Sequence, residues 1–327
     1  MTNPANDGAV PATAVVFGGS GFIGGHLIEQ LTALGTKVIC ADIVRPRALP
    51  AGASYEYCDV TKAIKLEREH PFDVVFNLAA VHRTPGHEPH EYYATNVAGA
   101  QNISEWMEAG NERLLLFTSS ISVYGPSEDL KHEMTPPAPE SDYGRSKLMA
   151  EDIFRSWQRQ DQARRLIITR PAVVFGPNEC GNFTRLARAL RGRRFAYPGR
   201  QDTIKCCGYV SDLVRAMLFC LERNEPLICF NYCYPQRSTI AEICEAFHQV
   251  AGYQLPPMIP PGFMGAIMRT LKLINPSDRG NVNAARVAKL TASTNIAADA
   301  LQQMGFQWET DIKSALERWH QLSEDFS

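Results

Sequence analysis

The stretch Val15–Leu27, VVFGGSGFIGGHL, constrains the fold of this chain more than any other. An apolar strand runs into Gly18, Gly21 and Gly24 at GxxGxxG spacing, and a helix, GFIGGHLIEQLTALG, opens on the second of them. A strand turns into a helix over so few residues only if the first glycine takes the tight turn. The third must also let the helix lie against the strand it has just left. The second glycine, with Phe22 and Ile23 beside it, leaves backbone amides open at a helix N-terminus, where the peptide dipoles favour a diphosphate. A second strand, KVICAD, ends at Asp42, about 20 residues on, the spacing at which an acidic side chain meets an adenosine ribose.

The rest of the first half repeats that rhythm. SYEYCD, FDVVFNLAA, RLLLFTSS and RLIITRPAVVFG read as further strands. TKAIKLEREH, opened by Thr61, and the longer EYYATNVAGAQNISEWMEAG and YGRSKLMAEDIFRSWQRQ read as helices between them. Continuous apolar strands separated by helices predict an α/β fold, a doubly wound parallel sheet of the Rossmann type covered on both faces. After Pro177 prolines multiply and strands thin out, which predicts a smaller, partly helical C-terminal substrate lobe. The expected boundaries are 11–177 plus 203–236 for the dinucleotide-binding domain and 178–202 plus 237–327 for the lobe.

Composition removes other classes. With 327 residues, 45% of them hydrophobic, the chain can bury a sizeable core. A formal net charge of -2 argues against a nucleic-acid partner, which needs a concentrated basic surface. The basic run RLARALRGRR, Arg185–Arg194, reads as a solvated helix face, one able to meet an anionic ligand. Gly262–Ile274 is too short to span a bilayer and carries Arg269 and Lys272, so no transmembrane segment is expected and a groove-lining helix is. The nine cysteines lack zinc spacing, and no secretory leader is visible, so reduced thiols in the cytoplasm are expected. His82, Glu88, His87 and His90 share no regular face, so no metal site is expected there; the loop instead places His82 or Arg83 near a substrate.

Two further signals concern chemistry. Asp42 would accept both adenosine ribose hydroxyls and repel a 2′-phosphate, favouring NAD over NADP, although Arg45 and Arg47 lie just beyond. Asp59, next to Val60, would either approach the adenine or cap the following helix. In YGRSK, Tyr143 and Lys147 share one helix face, so an ammonium would pull the phenol pKa down toward working pH. Ser120, at the end of LLFTSS, stands 23 residues earlier, with enough chain between to meet Tyr143.

In FGGSGFIG, FNLAA, YYATNVAGAQN, FTSSISVYG, YGRSK, RPAVVFGP and GYVSDLVRA the chain resembles the extended short-chain dehydrogenases/reductases, in their nucleotide-sugar epimerase, dehydratase and 4-ketoreductase branch. That resemblance implies NAD as cofactor, Ser120, Tyr143 and Lys147 as catalytic residues, and a homodimer. It places Leu78, Ala79, Ala80, Asn96 and Pro171 against the cofactor. A dehydratase would carry an Asp-Glu pair directly after the catalytic hydroxyl, where this chain has Ile121-Ser122, so epimerisation at C4 or reduction of a 4-keto sugar remains. A non-catalytic dinucleotide sensor is a third reading, opposed by the intact triad. Two positions depart from the family: Val173 stands where an Asn contacts the sugar diphosphate, and Lys205 where an Arg does. Asn178, Asn182, Lys205 and Arg279 are therefore the candidate diphosphate contacts, with Ser122 and Tyr124 near the sugar. A role in polysaccharide biosynthesis follows from the same resemblance.

Overall fold

The computed structural model describes residues 10–82, 86–260, 262–265, 269–270, 284–324 and 326. In chain order its first half runs β1 (Thr13–Phe17), α1 (Phe22–Ala33), β2 (Lys37–Asp42), β3 (Ala53–Tyr57) and β4 (Val74–Asn77). There follow α2 (Pro89–Tyr92), a π-helical turn Tyr93–Ala98, α3 (Gly99–Gly110), β5 (Leu114–Thr118), a 3-10 turn Ile121–Tyr124, β6 (Ser127–Lys131) and α4 (Asp142–Arg159). The second half holds β7 (Arg165–Pro171), β8 (Val173–Phe175), α5 (Asn182–Arg191), β9 (Tyr197–Pro198), β10 (Cys207–Tyr209), α6 (Val210–Leu221), β11 (Leu227–Tyr232), α7 (Ile240–Ala251), β12 (Met258–Ile259) and β13 (Thr294–Ile296). Three more helices, Ala284–Thr291, Asp299–Gln303 and Ile312–Leu322, belong to the C-terminal part.

Seven strands form one parallel sheet in the order β11-β7-β5-β4-β1-β2-β3. Alternate residues of each strand feed opposite faces. Ala14, Val16, Val38, Phe76, Leu116 and Ile167 pack with α1 and α6, while Val15, Phe17, Val75, Leu115, Phe117 and Ile168 pack with α3 and α4. Both faces are dry, which is why the strands read as unbroken apolar runs. From β1 the chain winds outward to β3 and then returns to β4 on β1's other side. The order thus reverses between β1 and β4, and a crevice opens beyond their C-terminal ends, where ligands of such sheets bind.

Three expectations need correction. TKAIKLEREH is not a helix. Ile64 and Leu66 alternate into the α3–α4 side of the core, Trp106 donates its ring N–H to the Leu66 carbonyl (3.1 Å), and the Arg68 guanidinium lies over the Trp106 ring (3.8 Å). Long-range partners there replace the i→i+4 bonds of a helix. RLIITRPAVVFG is two strands, since Ala172 still donates to Tyr232 (2.9 Å) whereas Val173 donates to Cys206 (3.3 Å). The break therefore hands the chain from the main sheet to the β8–β10 pair. β6, unforeseen, pairs with β13 from the far end of the chain.

A separate aromatic cluster holds the C-terminal elements, with Phe175 stacked on Phe183 at 4.1 Å and Tyr209, Phe247, Trp319 and Phe326 around them. Among the described residues no helix is long and apolar enough to cross a membrane.

Candidate functional site

The glycine turn is built by close approach. Gly18 adopts φ +77°, and a Cβ there would sit 2.5 Å from the Ala79 nitrogen. A Cβ on Gly24 would sit 2.6 Å from the Gly18 oxygen, so neither position accepts a side chain. Gly21 caps α1 without a side-chain acceptor, and no acidic residue stands in the first helical turn. The amides flanking Phe22 and Ile23 therefore form a cradle suited to a diphosphate.

Asp42 closes one side of that cradle. Its Oδ2 accepts the Ser20 amide and its Oδ1 the Val44 amide, both at 3.0 Å, which fixes its orientation beside the turn. Arg45 lies over the Tyr55 ring at 5.5 Å. On β4's exit Leu78 donates to the Phe17 carbonyl (2.8 Å), and Ala79 donates to the Asn77 side chain (3.2 Å) and runs on into Ala80. Asn96, within the π-helical turn, ties this wall to α4. It exchanges hydrogen bonds with the Val81 backbone and donates to the Ser146 hydroxyl at 2.8 Å. Val60 is buried and accepts from Asn102, whereas Asp59 is taken up by Thr61 and, at 2.9 Å, by Lys62. Asp59 thus closes a turn, and the helix it was to cap is absent. Pro171, the last residue of β7, is buried at the same end of the sheet.

Ser120, Tyr143 and Lys147 come together there. The Ser120 hydroxyl bonds the Tyr143 phenol, and it also accepts the Ser122 amide (3.1 Å) and donates to the Ser122 hydroxyl (3.2 Å). Lys147 is almost fully buried one turn along, donating to the Thr118 carbonyl (2.8 Å) with its ammonium 4.8 Å from the Phe117 ring centre. Electrostatics correct the expectation of a lowered phenol. Burial pushes Tyr143 up to about 12, with the Ser120 bond opposing, and burial pushes Lys147 down to about 7, with Glu151 opposing.

The expected sugar and diphosphate contacts fare differently. Ser122 sits directly on Ser120, and His82 is exposed on the loop after β4. Asn178 is exposed in the left-handed region (φ 69°), and Asn182, exposed at the start of α5, accepts from Arg185 at 2.7 Å. Lys205 is engaged within the protein. Its Nζ donates to the Lys289 and Ala292 carbonyls, both at 2.6 Å, at the C-terminal end of the helix Ala284–Thr291. Arg279 lies outside the described residues. Tyr124 is buried, accepting from Arg170 (2.7 Å) and donating to Asn231 (2.9 Å). Among the described residues no cluster of three potential metal ligands occurs, and His87 contacts Glu91 instead. Sequence reasoning missed Glu151 and Arg170, although Glu151 extends the Tyr143–Lys147 spacing by four more residues.

Comparison with known proteins places this geometry. Residues 14–231 match the model of the NAD dependent epimerase/dehydratase family. The chain belongs to that family. It is 27% identical over 316 residues to the N-acetyl-alpha-D-glucosaminyl-diphospho-ditrans,octacis-undecaprenol 4-epimerase of Escherichia coli O157:H7, covering 93% of each chain. It is 29% identical to UDP-glucose 4-epimerase 4 of Oryza sativa subsp. japonica, over 76% of this chain and 79% of the relative. In fold it is similar to UDP-glucose 4-epimerase from Bifidobacterium longum, solved with NAD+ and UDP (TM-score 0.73, 21% identity, 96% and 100% of the two chains). It is likewise similar to UDP-N-acetylglucosamine 4-epimerase from Bacillus cereus (TM-score 0.74, 19% identity, 95% and 96%). The protein is thus an NAD-dependent enzyme, and epimerase chemistry holds over the ketoreductase alternative.

Proposed function

We propose that this enzyme interconverts C4 epimers of a nucleotide-linked hexose or N-acetylhexosamine through a transient 4-keto sugar. The observation that carries the reading is the Ser120–Tyr143 hydroxyl pair beside buried Lys147, at the sheet edge that also holds the open glycine turn. NAD fits the residues present: an uncapped helix N-terminus for its diphosphate, a pinned Asp42 for its adenosine ribose, and walls from Leu78–Ala80, Asn96 and Pro171. When bound, it supplies reversible hydride acceptance at the sugar carbon.

In this mechanism Tyr143 moves the proton of the C4 oxygen. Ser120 holds that oxygen by hydrogen bonding and steadies the charge that develops on it. Lys147, fixed on the Thr118 carbonyl one helical turn from Tyr143, would hold the nicotinamide ribose. Ser122 and His82 would meet the sugar. The lobe at 178–202 plus 237–327 would hold the diphosphate and its carrier. A homodimer through α3 and α4, a cytoplasmic site of action and a role in polysaccharide precursor supply belong to the same proposal. Nine cysteines without a disulfide support the reducing compartment.

One relative favours a second reading of the carrier. It is named for a sugar on undecaprenyl diphosphate and matches 93% of this chain. Purified protein with NAD should be offered UDP-hexoses, UDP-N-acetylhexosamines and a polyprenyl-diphosphate N-acetylhexosamine in detergent. Isomer formed without net change in reduced cofactor supports C4 epimerisation, and whichever donor turns over fixes the carrier. Stoichiometric oxidation of NADH on a 4-keto sugar would restore the reductase, and silence on every donor would leave a dinucleotide sensor.

A further inference from the structure

α4 carries Tyr143, Lys147 and Glu151 at successive four-residue steps, one stripe turned toward the sheet. Glu151 is fully buried and holds three elements at once. Its Oε1 accepts the Ser119 hydroxyl (2.6 Å) from the end of β5 and the Arg170 Nε (2.9 Å) from β7, and its Oε2 accepts a terminal Arg170 nitrogen (2.6 Å). The other terminal nitrogen of Arg170 donates to the Tyr124 hydroxyl, which donates on to Asn231 of β11. Arg155 reaches the same carboxylate from solvent at 3.6 Å.

Ser119 and Tyr124 flank the 3-10 turn on whose N-terminus Ser120 sits. The segment that offers Ser120 is thus anchored immediately before it by Glu151 and four residues after it by Arg170, and the two anchors are one ion pair. One residue back, the Thr118 carbonyl holds Lys147. From this geometry we infer that Glu151 is a positioning residue: with Arg170 it sets the distance between the Ser120 hydroxyl and the Tyr143–Lys147 face of α4. A buried ion pair is poor value as a stabiliser, because desolvating two charges offsets most of their attraction. A pair bonded to both ends of a catalytic turn gains its use from geometry, since a displacement of about 1 Å at such a site costs on the order of 10²-fold in rate.

The inference rests on the proposed roles of Ser120 and Tyr143, and the test separates the two. Glu151→Gln/Arg170→Met removes both members of the pair together, so neither is left unpaired, and kcat is read across a pH profile because Lys147 also loses the carboxylate that supports its ammonium. The variant should melt within a few degrees of the parent and keep NAD affinity by calorimetry within about twofold, while kcat falls about 10²-fold at unchanged KM. A merely structural pair would leave kcat of the folded variant within about threefold of the parent, and that result overturns the inference. Ser119→Ala/Tyr124→Phe keeps the ion pair but cuts both ties. It should lose about tenfold in kcat at unchanged KM, and full activity there overturns the inference even if the first variant fails to fold. Tyr143→Phe is the control: an active Tyr143→Phe sinks the mechanism itself, whereas an inactive one beside a fully active Ser119→Ala/Tyr124→Phe sinks only the positioning role.

Discussion

The glycine turn and the segment around Lys205 are both places where the chain was expected to meet a diphosphate, and they were built in opposite ways. At the turn the ligand-facing groups are the backbone amides that open α1, left without a side-chain cap because Gly21 stands at the N-cap. At Lys205 the group is a side chain on a flexible stem, and the nearest carbonyls, Lys289 and Ala292, have taken it. A binding group that belongs to the backbone is fixed once the local fold is fixed. One that depends on a long side chain is claimed by whichever partner the tertiary structure brings close.

The largest effect expected on either side comes from Tyr143→Phe, which should lose at least 10²-fold in turnover while NAD binding by calorimetry stays within about twofold, because in the proposed mechanism the phenol oxygen serves only proton transfer. Gly18→Val follows. Its Cβ would meet the Ala79 backbone at 2.5 Å in a left-handed conformation, so thermal melts should show a destabilised protein and ultrafiltration should recover little bound NAD. Asp42→Ala should weaken NAD about tenfold and narrow its advantage over NADP, with Arg45 nearby to receive the extra phosphate. A variant that leaves the NAD/NADP ratio unchanged would remove Asp42 from the ribose.

The C-terminal side should respond in stability instead. Lys205→Met leaves two carbonyls unpaired at a helix end, costing about 1–3 kcal/mol and a few degrees in Tm, with KM for the sugar donor within twofold. A tenfold rise in KM at unchanged Tm would return Lys205 to the diphosphate and erase the contrast. Smallest of all, Asn182→Ala removes only an exposed contact to Arg185, and neither KM nor Tm should move measurably.

Much of this was legible beforehand, and the failures have a common cause. The strands around Val16, Val75, Leu115 and Ile167 were readable because burial on both faces leaves no polar positions to confuse the pattern. The glycine turn and the Tyr143–Lys147 spacing were readable because each is a local geometry, complete within a few residues. TKAIKLEREH misled because Trp106, some 40 residues away, claims the Leu66 carbonyl that a helix would have used. The break at Ala172 depends on Cys206 and Tyr232.

By itself, then, the sequence determined the doubly wound sheet, the glycine turn and the residue types that gather beside it, since helix and strand periods and glycine's missing Cβ act over short range. Only the tertiary structure decided which charges remain available. Lys205 is committed to a helix end and Glu151 to an Arg170 pair that brackets Ser120, because a side chain's partner is chosen by proximity in space, to which distance along the chain is indifferent.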